Sequence, residues 1–402
     1  MALAAGSAVL RPSIQFPSQR ADVSEHLAPT RRPSNCLAVA TVAAVAAGKI
    51  AQQAFVRRRR RERGCINAGS RLVRFASEVE LKEEPDRLVR YMGGNVSVRA
   101  VCATEMTRKV CSMHECSPAV SIALGRAVMA SALLANGRDE GETLQLRIQG
   151  TGPIGTIIAE ASSALDCRGM VGNAQVDAPT VPELVGVGEE ATLRVTRTHP
   201  FWKRPYTGTI QLQSGEIAED VVQYLATSEQ TPASMGLNVQ WDDEANQIKH
   251  AEGWLVTLLP GWDQGEVGVV ETNIRNFSKM EHSDLPRTDA ICQHMMRELR
   301  GEFQTEQTPT FRCKCTKSRL AGAVMMLGKT EVLKILKEKE DVTAKCDWCG
   351  DTLSLTVDEV RDHLKSEQGL EQVSTRGYSP RQLKLMEEEL KEMPEEGTAD
   401  WS

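Results

Sequence analysis

Apolar positions along the chain change period several times, and each change marks an element. Ser117-Pro118 opens the run "AVSIALGRAVMASALLA", apolar on every side, and Asn136-Gly137 closes it. Ser117 can cap, Pro118 suits the first helical position and Gly137 can take a left-handed stop, so the pattern predicts a helix. From Thr143 to Gln149 the period falls to two, with Leu144, Leu146 and Ile148 on one face, as in a half-buried strand. "TIIAEAS" from Thr156 follows a turn and completes a hairpin. Tyr206 to Gln213 alternates again, and Ile217, Val221, Tyr224 and Leu225 then share one face of a helix starting near Ser214. "GLNVQW" and "GWLVTLLPG" add strands ending at Pro260-Gly261. Strands come in runs instead of alternating with helices, so the predicted fold class is α+β, a mixed helix and sheet core over 83–261.

Gly150, Gly152 and Gly155 satisfy G-x-G-x-x-G. That fingerprint binds a dinucleotide only when a helix follows, because the pyrophosphate rests on the helix N-terminus. Here Pro153 sits inside the loop and β-branched Thr156, Ile157 and Ile158 follow, which predicts a turn and no nicotinamide site. Beyond Gly261 the pattern fades. Residues 262–311 are polar, with little apolar periodicity until "ICQHMMREL". Such a segment loses conformational entropy on ordering without burying much surface. Two readings stay open: a linker with one helix, or a metastable region that switches between folded and unfolded states.

Composition changes this picture at the N-terminus. The 402 residues are 41% hydrophobic and 25% charged, as in soluble globular proteins, which excludes collagen-like, coiled-coil and multi-span membrane classes. The net charge of −6 is a mixture. Residues 1–77 carry 13 basic and 3 acidic side chains, a net +10, which leaves −16 for residues 78–402. An Ala-, Ser- and Arg-rich, acid-poor leader has transit-peptide composition, so import into an organelle, plastid or mitochondrion, is expected. A basic tail that stays attached and a single membrane anchor are the alternatives. The uncharged run Cys36 to Ala47 is about half of the roughly 20 residues that span a bilayer, so no stable membrane insertion is expected. The acidic body also weighs against nucleic acid as a partner, which needs a basic face. Residues 366–402 form an acidic tail containing "LKLMEEELKEMPEE".

Chemistry concentrates in residues 312–365. Cys313-Lys314-Cys315 and Cys346-Asp347-Trp348-Cys349 offer four sulfurs in two close pairs, a pattern that fits tetrahedral zinc. Gly350 permits the tight turn after the second pair. Between the pairs, Leu320, Val324 and Leu327 give one helical stripe, and Thr330 can cap a second helix containing Val332, Leu333 and Ile335. A C-x-C disulfide closes a small, strained and therefore labile ring. Zinc-held thiolates also meet an oxidant in the nucleophilic form. The four cysteines thus read either as a structural zinc module or as a switch in which oxidation ejects the metal.

Several stretches in order then resemble a known family, the redox-regulated 33 kDa chaperonins (heat shock protein 33). They are "DRLVRYMGGNVSVRAV", "SPAVSIALGRAVMASALL", "LQLRIQGTGPIGTIIAEA", "YTGTIQLQSGEIAEDVVQYLATSEQTP", "GWLVTLLPG" and the "CKC…CDWCG" array. The resemblance covers about Pro85 to Leu364. It implies an α+β core, a metastable linker and a small C-terminal zinc domain, with one zinc per chain on Cys313, Cys315, Cys346 and Cys349. It implies a holdase, not an enzyme, that binds unfolded client proteins under oxidative stress, with no ATP hydrolysis. The reduced, zinc-bound form would be inactive. Cys313–Cys315 and Cys346–Cys349 disulfides would release zinc, unfold the linker and accompany homodimerisation. The family also implies a cytoplasmic setting, against the organelle that the leader suggests. The chain departs from the family pattern at Glu189 and Glu190 in a glycine-rich stretch, and at Leu353 and Leu355 where aromatic residues are usual.

Two rival readings use the same cysteines. A thiol–disulfide oxidoreductase would work through Cys346 and Cys349, but it needs a nucleophile at a helix N-terminus following a strand. A nucleic-acid-binding zinc module would use Lys314, Lys317, Arg319, Lys329, Lys334, Lys337 and Lys339, which lack interleaved aromatic residues for stacking. Cys36 and Cys65 lie in the leader. Cys102, Cys111, Cys116, Cys167 and Cys292 receive no role, and His114 and His294 are not at ligand spacing from the four.

Overall fold

The computed structural model describes residues 84–365, except 278–279, 281–284, 328 and 339–340. The expected leader (1–77) and acidic tail (366–402) lie outside the described residues. Two sheets, antiparallel except for one short parallel pairing at an edge, and one long helix build the body. The first sheet has the order β10-β1-β2-β9-β8, with β1 Arg87–Gly93, β2 Val96–Cys102, β8 Ala233–Asp242, β9 Gln247–Leu258 and β10 Glu302–Gln307. The second has the order β11-β5-β4-β3-β6-β7, from β3 Thr143–Gln149, β4 Thr156–Ser162, β5 Asp166–Val171, β6 Thr192–Thr198, β7 Tyr206–Gln211 and the short β11 Thr310–Phe311. The class is α+β, and the β3–β4 hairpin has the predicted bounds.

Helix α1 (Thr104–Met113) leads into α2 (Pro118–Ala135), which packs on β3, β4 and β5 on one side and β8 and β9 on the other. A helix apolar all round must be buried all round. Among the described residues α2 alone is long and apolar enough to cross a membrane, and 78% of it is buried inside the fold. Ser117 Oγ accepts the Val120 N–H at 3.4 Å, and Gly137 has φ +78, so start and stop are as the sequence predicts. Gly125 lets α1 approach, since a Cβ there would lie 2.6 Å from Thr107 Cγ2. The three loop glycines serve packing: Gly150 N–H donates to Gly155 O across the β3–β4 turn. A Cβ on Gly150 would strike the carbonyl of Val185, the last residue of the short helix α3 (Val181–Val185). Helix α4 (Ile217–Thr227) begins three residues later than Ser214, because the Asp220 carboxylate accepts N–H bonds from Gln213, Ser214 and Gly215 and holds them in a turn.

The segment read from sequence as a polar linker with one helix carries more structure than that. It holds α5 (Gln264–Arg275), opened by an Asp263/Glu266 capping box, α6 (Arg287–Met295), and the strands β10 and β11. Its apolar residues are few but are aimed one way. Val270, Ile274, Ile291, Cys292, Met295 and Met296 cover the face of the first sheet formed by Val89, Val98, Trp254 and Val256. The other face of those strands, with Leu88, Val101 and Leu255, belongs to the α2 core. Surface burial is thus larger than local periodicity implies, because the partner surface comes from distant strands.

Beyond β11 stand α7 (Lys317–Met325), α8 (Lys329–Glu338), the hairpin β12 (Val342–Lys345) and β13 (Thr352–Leu355), and α9 (Val357–Lys365). A small cluster, Ala321, Val324, Met325, Val332, Leu336, Leu355 and Val360, holds them together. Leu327, placed in the first helical stripe from sequence, is 60% exposed beyond the end of α7. Thr330, expected to cap the second helix, falls within α8 as its second residue; Thr316 caps α7.

Candidate metal centre

The four cysteines reach one point from two directions. Cys313 and Cys315 flank a single residue between β11 and α7, and Thr316 Oγ1 accepts the Arg319 N–H to start that helix. Cys346 and Cys349 occupy the turn between β12 and β13. There Cys346 N–H donates to Asp351 O and Gly350 N–H to Cys346 O, both at 2.8 Å, while Gly350 takes φ +73. A side chain other than hydrogen would strain that turn. The four sulfurs lie within 4.8 Å of one another, with Cys313 Sγ 3.6 Å from Cys346 Sγ and Cys315 Sγ 3.3 Å from Cys349 Sγ. At Zn–S bonds of about 2.3 Å, tetrahedral ligands sit about 3.8 Å apart, so the donor set fits zinc in type, number and spacing.

Crowded thiols cannot all ionise together. Burial works against ionisation at Cys346, but N–H groups of Trp348 and Cys349 and the sulfurs of Cys349 and Cys313 overcome it, leaving this thiol below the ordinary range. At Cys315 a hydrogen bond with Cys349 favours ionisation, but Cys313, burial and Cys346 outweigh it and push the thiol up. Burial raises Cys349 furthest, and it is 6% exposed. Four soft sulfur donors held this close suit a soft cation, which would displace their protons on binding. Arg168, Arg319 and Lys345 line the cavity on the open side of the cluster and favour its anionic form.

Contacts with the core were not visible in the sequence. The Arg168 guanidinium of β5 lies 4.0 Å from the Trp348 ring centroid and pairs with Glu160 at 2.7 Å. Alongside, β11 pairs in parallel with β5, Arg312 N–H donates to Cys167 O at 3.1 Å, and Arg312 Nε lies 3.2 Å from Asp166. The metal centre therefore rests on the second sheet through an aromatic plate and a short strand. The unassigned thiols are elsewhere. Cys102, Cys111, Cys167 and Cys292 are buried, and His114 and His294 bond the carbonyls of Gly169 and Asn273. A strand, not a helix, follows Cys346 and Cys349, unlike the oxidoreductase arrangement. Lys317 is engaged by Glu359, and Arg319 Nη1 by Lys314 O.

Comparisons with known proteins agree with one another. A family model described as Hsp33 protein matches residues 86–356. The 33 kDa chaperonin of Shouchella clausii is 33% identical over 285 residues, covering 68% of this chain and 94% of its own. That of Desulforamulus reducens is 30% identical over 293 residues, covering 70% and 97%. The crystal structure of a Thermotoga maritima 33 kDa chaperonin superposes with a TM-score of 0.60 at 27% identity, over 69% of this chain and 98% of that one.

Proposed function

The chain belongs to the Hsp33 family, and from that premise we propose that it is a redox-regulated holdase, which binds unfolded proteins under oxidative stress and catalyses no reaction. The observation that carries this reading is the convergence of Cys313, Cys315, Cys346 and Cys349 in a module with a small apolar core of its own. When bound, zinc supplies about 10–16 kcal/mol of folding free energy at neutral pH and keeps the sulfurs as thiolates. Hydrogen peroxide takes two electrons from each cysteine pair. The Cys313 and Cys315 sulfurs join, Cys346 and Cys349 do the same, and each consumed peroxide takes two protons from solvent and leaves as two waters. All four donors are then withdrawn and the 312–365 module loses what holds it.

The consequences run back along the chain. Trp348 leaves Arg168, β11 leaves β5, and the metastable 262–311 linker leaves the first sheet. Val98, Trp254 and Val256 of the 83–261 core are then available to the apolar segments of clients, and pairing of two opened copies gives the homodimer. The leader composition supports an organelle, plastid or mitochondrion. The bacterial relatives are the observation favouring the cytoplasm as the alternative compartment.

The test titrates zinc release from the reduced protein with peroxide at elevated temperature while client aggregation is followed. Metal loss and aggregation suppression should rise together. Release with no gain of holdase activity would leave a structural metal site and end the switch. Replacing Cys313 and Cys315 together by Ser should abolish stoichiometric zinc; metal retained in that variant would overturn the ligand assignment.

A further inference from the structure

Helix α1 ends in a capping motif that brings two of the unassigned cysteines together. Its last turn is followed by His114, then by Glu115 in the left-handed region at φ +51. Cys116 N–H donates to Cys111 O at 3.1 Å and Glu115 N–H to Ser112 O at 3.2 Å. This nested pair of bonds is the Schellman motif, in which the side chains three from the helix end and two past it touch. Here both of those positions are cysteine; Cys111 belongs to the α2 core and Cys116 packs against that same cluster. The turn is fixed from outside as well. His114 Nε2 contacts Gly169 O at 2.8 Å, Ser117 N–H donates to Ala174 O at 2.9 Å, and Gln175 Nε2 donates to Glu115 O.

We propose that Cys111 and Cys116 are a second redox site, a preformed dithiol in the core that closes to an intramolecular disulfide independently of the metal centre. The two sulfurs differ in access. Cys111 is 5% exposed and packs in the α2 core, whereas Cys116 is partly exposed. Both line a cleft of about 1220 Å³ whose walls include Met106, Trp241, Ile248 and Phe311. Hydrogen peroxide entering that cleft meets Cys116 first. Its thiolate sulfur attacks the peroxide oxygen, forming a sulfenic acid and releasing hydroxide. The Cys111 sulfur then attacks the Cys116 sulfur. The S–S bond forms as the S–O bond breaks, and water leaves with the Cys111 proton. Two electrons and two thiol protons have passed to the peroxide, which ends as two waters. The neighbouring Cys111 thiol supports the first step by holding the Cys116 thiol below its ordinary range. The nested backbone bonds of the motif keep the two positions side by side while the sulfurs react.

Trypsin leaves both cysteines on one peptide, Val110–Arg126. The reduced full chain is treated with graded hydrogen peroxide, alkylated under denaturing conditions, digested and weighed. The expected product is that peptide lighter by two hydrogens and refusing both alkyl groups, while Cys102, Cys167 and Cys292 stay fully alkylated. In a Cys111→Ala variant, Cys116 should stop at the sulfenic acid and be trapped by dimedone, a product that the wild-type chain does not accumulate. Two alkylated cysteines in Val110–Arg126 at a dose that oxidises all four ligand cysteines would overturn the proposal. So would dimedone capture of Cys116 in the wild-type chain equal to that in Cys111→Ala. The wild-type measurement stands even if the variant fails to fold.

Discussion

Both faces of the first sheet are apolar, yet they are closed by different kinds of cover. On one face lies α2, an all-apolar helix locked between two sheets. On the other lie α5 and α6, whose apolar side chains are supplemented by polar ties. Asn273 Nδ2 donates to Met295 O and Arg297 O, and Thr288 Oγ1 to Glu84. Tyr91 OH donates to Asp289 at 2.8 Å, and Arg287 Nε lies 2.9 Å from Glu252. A dry interface of close-packed side chains opens only with the whole core. A cover half made of hydrogen bonds and ion pairs can leave by itself, since water accepts its polar groups. The difference makes the α5–α6 face the one that the proposed opening would use.

The strongest way to break that distinction is a charge under the removable cover. Ile291→Asp buries an unpaired carboxylate where the wild-type residue is fully enclosed, at a cost of several kcal/mol. Hydrogen exchange should speed through 264–296 while β3–β6 stay protected; equal loss in both regions would erase the difference between the covers. Leu133→Ala, on the α2 face against Gly253, should cost about 2–5 kcal/mol and lower the stability of linker and core together. A denaturant midpoint that falls for one region only would count against it.

Acid should act on the polar ties. Burial pushes Glu252 up, but His250 and Arg287 more than offset it and hold its carboxyl at about 2. Its folded value is therefore below its unfolded one. The contribution, on the order of 3 kcal/mol, is complete above pH of about 4.5 and is lost as pH falls toward about 2. Trp254 fluorescence should report undocking across that window, and Glu252→Gln should flatten the profile. An unchanged profile would remove Glu252 from the account. The smallest effect belongs to Tyr91→Phe, which deletes one hydrogen bond and should cost about 0.5–1.5 kcal/mol of linker docking with zinc stoichiometry unaltered.

Sequence pattern went furthest where structure is local. Helix α2 and the β3–β4 hairpin announce themselves through caps, period and turn glycines, and their bounds follow. The four cysteines are equally legible, because each pair shares one turn. The docked linker was missed because its partner surface is remote, yet a trace of it existed. "GWLVTLL" runs apolar with little alternation, and strands of that kind are covered on both faces. One cover was α2, and the second had to come from elsewhere in the chain. Arg168 and Glu160 under Trp348 left no trace at all, since nothing within a few residues of them differs from an ordinary strand. The Cys111 and Cys116 contact depends on where α1 ends, a boundary that periodicity does not set.

The short pairing of β11 with β5 has a mechanical corollary. A single residue, Arg312, separates Phe311 from Cys313, and Arg312 itself bonds to Cys167 O. One extended residue reaches at most about 3.3–3.6 Å. Any displacement of Cys313 beyond that length must peel the strand from its sheet edge, so metal centre and body are geared with almost no backlash.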